Sequence, residues 1–480
     1  MNTEKSCKSS LHDTRKATAT AIIVFALTVL PPRRSHAEDS LGAKFMYYQE
    51  DNDRIKVLAP EISAQNETDT GWIIKLDGIY NAISGATPTG APPAAVAPVS
   101  INRPAASSGG GTTSSTPPIT VTPVNNGGAE QEHEDDAFIG RRVNYPAARY
   151  SAVTAATPAP APTPAPTPST PSSAPSAPTS SPAASSGSAA ASTTQPAAQP
   201  ANSSRIPLAD FSDTRWAFNI GLSKRMGNHT PSIQASYSQE SDYLSTGLSL
   251  QDTLDFNKKN TTLAFGGAYT HDALTPANGR PSETKDSIDA LLGISQVLTK
   301  TTVFTANLTL GQVSGFISDP YKLAEVNGRL IYENRPDSKT KEIIYVGLQQ
   351  FITPLDASID LGFRYYTDSF GINAETLSLA WFQKINPHFI ISPIIRYYTQ
   401  TAADFYDVRF SGAPEFYSSD YRISDLTSIS YGVKFIWMPT SKLTLDAGVE
   451  RYEMSGNDGK TDEEMYPTAL LFMVGAHVSF

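Results

Sequence analysis

The chain has 480 residues, with 37 basic and 47 acidic side chains, 36 prolines and one cysteine. A formal charge of −10 gives no support to nucleic-acid binding, which needs a clustered basic surface, so no nucleic-acid partner is expected. One cysteine excludes a disulfide-stapled scaffold. Because 21 of the 36 prolines lie between Pro88 and Pro200, the part of the chain that can fold is much shorter than 480 residues.

The N-terminus predicts export from the cytoplasm. Basic residues precede an apolar run from Ala21 to Leu30, and Ser35 and Ala37 place small residues at the −3 and −1 positions of a cleavage site. We therefore expect residues 1–37 to be removed as a signal peptide. The alternative is an uncleaved anchor, which the short run disfavours, since a bilayer span takes ~20 apolar residues.

Beyond the signal, apolar residues recur with a period of two. On the last segment every second residue from Leu470 to Phe480 is apolar, and the same alternation occurs at 443–450 and 357–366. Such strands bury one face, and here the charges fall only on the other face. Two architectures have strands of this kind, a soluble sandwich and a transmembrane barrel.

The connections between these segments favour the barrel. Short connections alternate with longer ones, and this pattern gives 16 strands of about 10 to 13 residues, eight outer loops and seven inner turns. We therefore predict an all-β fold, a transmembrane antiparallel up-and-down β-barrel. The short connections are expected at 65–70, 227–229, 255–258, 299–300, 352–354, 385–388 and 439–441. The longer ones are expected at 84–212, 271–284, 313–339, 401–426 and 454–467, with smaller members at 51–53, 239–242 and 368–372.

Aromatic residues and the C-terminus agree with an outer-membrane barrel of a Gram-negative bacterium. Trp72, Trp381 and Trp437 would lie in the periplasmic girdle and Trp216 in the outer girdle, although each could instead belong to the core of a soluble sheet. The alternating last strand ends in phenylalanine and resembles a barrel-closure signal. Its partners would be the barrel-assembly machinery and outer-membrane lipid. The residues of this closure signal are Phe472, Val474, Val478 and Phe480.

The barrel would be interrupted by one long insert. Residues 38–84 would form the first strands, and residues 206–480 the remainder of the barrel, closed by 468–480. Residues 85–205 are dominated by Pro, Ala, Ser, Thr and Gly, which predicts disorder. Within the insert, Glu130 to Asp136 is an acidic run that is either a cation site or plug, or simply a solvated segment. The strand count places the insert outside the cell, whereas one strand more or fewer before it would place it in the periplasm.

Three segments resemble a bacterial family known as domain of unknown function 3570. They run from Tyr47 to Val57, from Ser84 to Gly90 and from Arg396 to Tyr406. The similarity covers residues 42–90 and 207–480, and it implies an outer-membrane barrel without implying a reaction. The long Pro/Ala insert departs from the family pattern.

The sequence contains no motif for catalysis, and no catalytic, cofactor or metal site is predicted. One adjacent pair, His271 and Asp272, leaves a hydrolase as the third hypothesis. The registers instead point seven charges into the lumen, where they either line a path for solutes or form structural ion pairs. We expect a pore or transporter for an unidentified solute, with a barrel anchor or scaffold for an unidentified protein partner as the alternative. The seven predicted lumen charges are Asp289, Asp360, Arg364, Arg396, Lys434, Asp446 and Glu450.

Overall fold

The computed structural model describes residues 39–92 and 206–480. The predicted signal peptide and residues 93–205 of the predicted insert lie outside the described residues. In chain order the strands are Ser40–Glu50 (β1), Ile55–Glu67 (β2), Trp72–Pro88 (β3), Leu208–Lys224 (β4), His229–Gln239 (β5), Tyr243–Phe256 (β6), Thr261–Leu274 (β7), Glu283–Thr299 (β8), Thr302–Gly315 (β9), Leu323–Val326 (β10), Arg329–Tyr332 (β11), Ser338–Ile352 (β12), Ala357–Asp368 (β13), Asn373–Asn386 (β14), Phe389–Gln400 (β15), Arg409–Phe410 (β16), Leu426–Trp437 (β17), Leu443–Gly456 (β18) and Thr468–Ser479 (β19).

Sixteen of these strands form a closed antiparallel barrel, as the alternating sequence predicts. Each pairs with the barrel strands before and after it, and β1 closes the ring on β19, with Ser40 opposite Ser479 and Glu50 opposite Ala469. Closure matters physically because every strand edge then has a hydrogen-bonded neighbour, which an apolar bilayer requires. The sandwich alternative is therefore wrong.

The two ends of the barrel differ in the length of their connections. The described chain begins and ends at one end, here called the turn end, together with the seven short connections. The other eight connections lie at the opposite end, called the loop end. Five of them are longer than any connection at the turn end, and these include the connection from β3 to β4 that carries the insert. Both sets are those that the sequence predicts.

One predicted boundary is wrong. The strand β3 continues to Pro88, which pairs with Leu208 of β4, so residues 85–88 belong to the barrel and not to the insert. Gly85 makes this extension possible, because its φ of +145° lets the chain pass so close to the carbonyl oxygen of Arg54 that any Cβ would clash with it. Several strands are also longer than expected, reaching 17 residues in β3, β4 and β8.

The side-chain pattern of the barrel is the inverse of a soluble core. Large apolar side chains point outward and are exposed, as at Ile220 (57%), Leu250 (57%) and Ile288 (61%), while most inward positions carry polar or small residues. An apolar outer surface around a polar lumen is the arrangement of an outer-membrane-type barrel. The described helices are single 3₁₀ turns, and none of them is long and apolar enough to cross a bilayer.

A second, small sheet forms within the connections at the loop end. It has the order β11-β10-β16, with β10 and β11 joined by a hairpin turn at Asn327 and Gly328, whose φ angles are +52° and +75°. Both connections are expected from the sequence as longer ones, and the structure adds three short strands within them. Asn-Gly is a strong local signal for a two-residue hairpin, because both central residues of that turn need positive φ.

Candidate functional site: the capped loop end of the barrel

All eight connections at the loop end are joined to one another by hydrogen bonds, and together they form what we call the cap. The β9–β12 loop (residues 316–337) and the β15–β17 loop (residues 401–425) occupy its centre, because the remaining connections contact one or the other directly or through a neighbour. The other parts of the cap are residues 51–54, 89–92 with 206–207, 240–242, 275–282, 369–372 and 457–467.

On one side, Tyr321 of the β9–β12 loop holds two neighbouring connections. Its hydroxyl donates to the carboxylate of Asp242 and accepts a 2.9 Å hydrogen bond from the backbone N–H of Ala277. The side-chain amide of Asn278 also donates to the carbonyl of Pro320, at 2.9 Å. The β5–β6 and β7–β8 connections are therefore tied to the centre of the cap.

On the other side, the β15–β17 loop holds the β13–β14 and β18–β19 connections. The backbone N–H of Asp404 donates to the carbonyl of Phe370 at 2.8 Å, and the hydroxyl of Tyr406 bonds that of Thr461 at 2.5 Å. Arg54, between β1 and β2, donates to the carbonyl of Glu464 at 2.9 Å. Through these bonds the connections on this side of the cap are also joined to the β15–β17 loop, directly or through a neighbour.

An apolar layer lies beneath the cap. It consists of two clusters in which inward side chains of the strands, such as Val313 and Leu426, pack against side chains of the connections, such as Ile317 and Tyr466. Burying this surface holds the connections over the loop end of the lumen. The first cluster is Val313, Ile317, Phe370, Ile372, Ala403 and Ile423, and the second is Ala374, Tyr398, Leu426, Met454 and Tyr466.

A buried ionic network joins the two central loops. Arg335 of the β9–β12 loop lies 2.8 Å from the carboxylate of Asp420 in the β15–β17 loop and 2.7 Å from that of Glu333. Arg422 of the β15–β17 loop reaches back to Asp319 at 2.7 Å. Asp319, Glu333 and Asp420 balance the charges of Arg335, Arg422 and the nearby Lys322, so the network is electrically neutral when all six groups are ionised.

The environment shifts the pKa values of these groups strongly. Burial alone would raise the pKa of Asp420, but Arg422, Lys322 and Arg335 outweigh it and hold that pKa well below its usual range. For Glu333 burial prevails over the charge of Arg335, and the pKa is raised. Burial lowers the pKa of Lys322. The network therefore combines a firmly ionised aspartate with groups whose charge is costly to bury.

The insert begins and ends on the cap. The ammonium of Lys322 donates to the carbonyl of Pro88, and the backbone N–H of Leu323 donates to that of Thr89 at 2.8 Å. Thr89 in turn donates to the carbonyl of Pro207 at 3.0 Å, which joins the outgoing and returning chain. Ala91 is buried beside this stem. The outgoing end of the insert is therefore attached to the start of β10, and the returning end is attached to the outgoing end at Thr89.

The seven predicted lumen charges all lie at inward positions. Lys434 forms a 3.0 Å ion pair with Asp446, and Asp289 pairs with Lys341 at 3.2 Å. Asp360 accepts a 3.4 Å hydrogen bond from the side chain of Gln349. The other three, Arg364, Arg396 and Glu450, lie at inward positions on β13, β15 and β18, the side of the wall below the second apolar cluster.

The predicted interface aromatics occupy outward positions. Trp72 and Trp437 lie at the turn end, and Trp381 lies five residues before the turn-end limit of β14. Trp216 lies opposite Gln239, the last residue of β5 at the loop end, and packs against Tyr80 with ring centroids 4.5 Å apart and the rings tilted by 48°. Their role as girdles stays a prediction.

The predicted closure residues lie on β19 or directly after it. Phe472, Val474 and Phe480 are exposed on the outward face, and Val478 lies opposite Leu41 of β1. The backbone N–H of Phe480 donates to the carbonyl of Asp39 at 3.0 Å, which extends the seam by one bond. Recognition by assembly machinery stays a prediction.

The residue pair that suggested a hydrolase is separated. His271 points outward and bonds the carboxylate of Asp286 at 2.8 Å, whereas Asp272 points inward and lies 3.7 Å from Lys285. Adjacent residues of a strand point to opposite faces, so such a pair cannot act together.

One acidic cluster was not predicted from the sequence. Oxygen atoms of Asp213, Glu240 and Asp242 come within 4.8 Å of one another at the loop end and offer the ligand type that a hard cation takes. Protein groups already engage them, since Arg215 lies 3.8 Å from Glu240 and Tyr321 bonds Asp242. No local pattern predicts the cluster, because Asp213 and Glu240 lie on different sides of the β4–β5 hairpin.

The comparisons with known proteins concern family and fold. The profile of a family described as protein of unknown function (DUF3570) matches residues 14–286 and 280–469. The ferric enterobactin receptor of Pseudomonas aeruginosa is similar at 9% identity and a TM-score of 0.38, over 92% of this chain and 60% of the receptor. A bacterial polysaccharide outer membrane secretin is similar at 8% identity and a TM-score of 0.39, over 93% and 100%. The chain thus spans about 60% of the length of that receptor, and no curated protein matches the sequence.

Proposed function

Since the chain belongs to the DUF3570 family of proteins of unknown function, whose description names no reaction, we propose a function from its geometry. The protein is a transport barrel of the outer membrane of a Gram-negative bacterium, and its cap faces the outside of the cell. A closed barrel of 16 strands with an apolar outer surface and a polar inner wall is wide enough for an aqueous path. Long connections at one end are typical of the extracellular side.

The cap is the observation that carries this proposal, and it favours a gated channel over a passive pore. Its connections bury apolar side chains against the inner wall and join around the whole ring. A solute that passes through the lumen must therefore wait for the cap to move. Opening would return the six charges of the ionic network to water, four of them from buried residues, which offsets part of the electrostatic energy that holds the cap closed.

A disulfide across the cap tests gating. Asn334 and Tyr417 exchange two backbone hydrogen bonds of 3.0 and 2.8 Å, and such a pair places the Cα atoms ~5.5 Å apart, within disulfide range. Refolded full-length protein carrying Asn334→Cys and Tyr417→Cys would be studied in planar bilayers. We expect channel openings in the reduced protein and none after oxidation, while Asn334→Cys alone shows no redox response.

Two results would count against the proposal. Equal conductance of the oxidised and reduced protein would contradict gating by the cap. No conductance in any form, from protein whose heat-modifiable migration shows a folded barrel, would contradict transport.

The second result would favour the other candidate, an anchor or scaffold for a protein partner. The observation behind it is β11, an edge strand of the small sheet that exposes Leu330 (53%), Ile331 (38%) and Tyr332 (43%) on the cap. An exposed apolar edge strand is able to accept a strand from another protein. Protection of β11 from hydrogen exchange by a co-purified protein is the result that this candidate predicts.

A further inference from the structure

We propose that the inner wall below the cap binds a small oxyanion, the carboxylate or phosphate group of the transported solute, through Arg364, Arg396 and Thr376. The inference rests on the proposed transport function and adds a substrate class to it. Placement, burial and charge each support the site.

The strand registers bring the two arginines together. Arg364 on β13 lies opposite Thr376 on β14, and Arg396 on β15 lies opposite Ser378, two residues further along β14. The guanidinium groups therefore reach into the lumen from both sides of one strand, close enough to repel each other electrostatically. The guanidinium of Arg364 lies 5.4 Å from the ring centroid of Tyr366, which supports it from the cap side.

The position between the arginines is polar and buried. The side chain of Thr376 is inward, the residue is 6% exposed, and its hydroxyl has no hydrogen-bond partner within the described residues. A buried hydroxyl is normally hydrogen-bonded, because leaving it without a partner forfeits its hydration. A ligand oxygen held by the arginines would supply the partner.

The ion pairing of Arg396 differs from that of Lys434, another inward cation. Lys434 has an acidic partner at 3.0 Å, whereas the acidic group that acts on Arg396 is Glu450, with no short ion pair between them in the described structure. Glu450 is 2% exposed, and its Oε2 atom also lacks a hydrogen-bond partner among the described residues. Arg396 thus carries a charge on the inner wall that no short ion pair neutralises within the described residues.

These groups fit an oxyanion chemically. A guanidinium offers parallel N–H donors that match two oxygens of a carboxylate or phosphate, and two guanidiniums with a hydroxyl engage three oxygens. The nearby Glu450 would weaken binding of the anion, and a transport site needs such a limit because the solute must also leave.

Equilibrium binding to purified full-length protein tests the site. Isothermal titration with inorganic phosphate and, separately, with succinate would be run at constant ionic strength set by chloride. We expect Arg364→Gln and Arg396→Gln each to lower the affinity at least tenfold and Glu450→Gln to raise it several-fold. Lys434→Gln, a matched control on the same inner wall, is expected to change it less than twofold. Whether phosphate or succinate binds more tightly identifies the oxyanion.

The outcomes separate this inference from the transport proposal. Two results would contradict the site. In the first, phosphate and succinate both fail to bind the wild-type protein and also fail to bind Arg335→Gln, a variant with a loosened cap. In the second, Lys434→Gln weakens binding as much as Arg396→Gln. If the protein binds an anion but never conducts, the anion site is supported and the transport proposal is contradicted. Heat-modifiable migration of each variant shows that its barrel is folded.

Discussion

Arg335 and Asp420 form a 2.8 Å ion pair between the two central loops of the cap, with side chains only 8% and 0% exposed. They are 85 residues apart in the chain, so the pair exists only when both loops are folded over the lumen. Removing one member of a buried pair costs about 3–5 kcal/mol, because the remaining charge stays buried without compensation. Loss of one member therefore destabilises the closed cap by more than the net contribution of the intact pair.

We expect Arg335→Gln to destabilise the closed cap by about 3–5 kcal/mol. The measurements are the open probability in planar bilayers and the rate of proteolysis within residues 316–337. Both should rise. The matched control is Arg409→Gln, which breaks an exposed ion pair between the same two loops. The side chain of Arg409 lies 3.1 Å from that of Glu325 and is 52% exposed. An exposed pair contributes about 0.2–1 kcal/mol, so equal effects of the two variants would contradict a special role for the buried network.

Closure of the cap should also depend on pH through Asp242. Burial raises the pKa of its carboxyl group to about 6, although the hydrogen bond from Tyr321 partly opposes the shift. When the cap opens, this pKa returns towards its ordinary value near 4. The closed cap then binds the proton more tightly than the open cap. Protonation of Asp242 therefore stabilises the closed cap fully below pH ~4, and this stabilisation is lost as pH rises through 6. Between pH 5 and 7 the free energy of cap closure should become less favourable by about 1–2 kcal/mol. We therefore expect the open probability to increase over this range.

Asp242→Asn provides the control for this pH dependence. The amide still accepts the hydroxyl of Tyr321 but does not titrate, so the step between pH 5 and 7 should disappear while channel closure at pH 5 is retained. A step of unchanged size in Asp242→Asn would assign the pH response to other groups.

The sequence predicts the barrel well because its strands repeat a local rule. Apolar and polar residues alternate on each strand, and this gives the strand count, the closing pair of β1 and β19 and the inward face of Glu450. The pattern does not predict the end of β3 at Pro88. A proline next to a Pro-rich stretch indicates the insert, yet Pro88 pairs with β4 as the last residue of β3.

The cap could not be predicted in this way. Its contacts join residues far apart in the chain, such as the side chain of Arg54 with the backbone carbonyl of Glu464, and no periodic pattern relates such residues. Only the turn at Asn327 and Gly328 carried a local signal that could have identified the β10–β11 hairpin.

The C-terminal residue offers a test of barrel closure. Phe480 adds a 3.0 Å bond to Asp39 at the seam and exposes 44% of its surface to the outside. We expect Phe480→Ala to reduce the amount of heat-modifiable barrel in the outer membrane several-fold, because recognition by the assembly machinery would depend on the last residue. Phe435→Ala removes an equally exposed outward ring from β17 and should have little effect. Similar losses from both variants would indicate a general need for lipid-facing area.

Gly90 tests whether the insert is attached to the cap. Its φ is +83°, and a Cβ at this position would lie 2.5 Å from the carbonyl oxygen of Leu323, a backbone atom that cannot move aside without shifting β10. Gly412 has nearly the same φ, +81°, but a Cβ there would meet nothing within 4 Å. Alanine at positive φ costs about 1 kcal/mol at either site, and overpacking at Gly90 adds about 1–3 kcal/mol.

We therefore expect Gly90→Ala to release the stem of the insert from β10 and Gly412→Ala to leave it in place. The measurement is hydrogen exchange in peptides that cover Leu323, whose amide donates to Thr89. Exchange should accelerate roughly 30-fold or more in Gly90→Ala, since about 2 kcal/mol corresponds to that factor. Unchanged exchange in both variants would show that the stem contact does not protect β10. If both accelerate equally, the backbone strain common to the two sites accounts for the effect, and the attachment of the insert at Gly90 contributes nothing measurable to the closed cap.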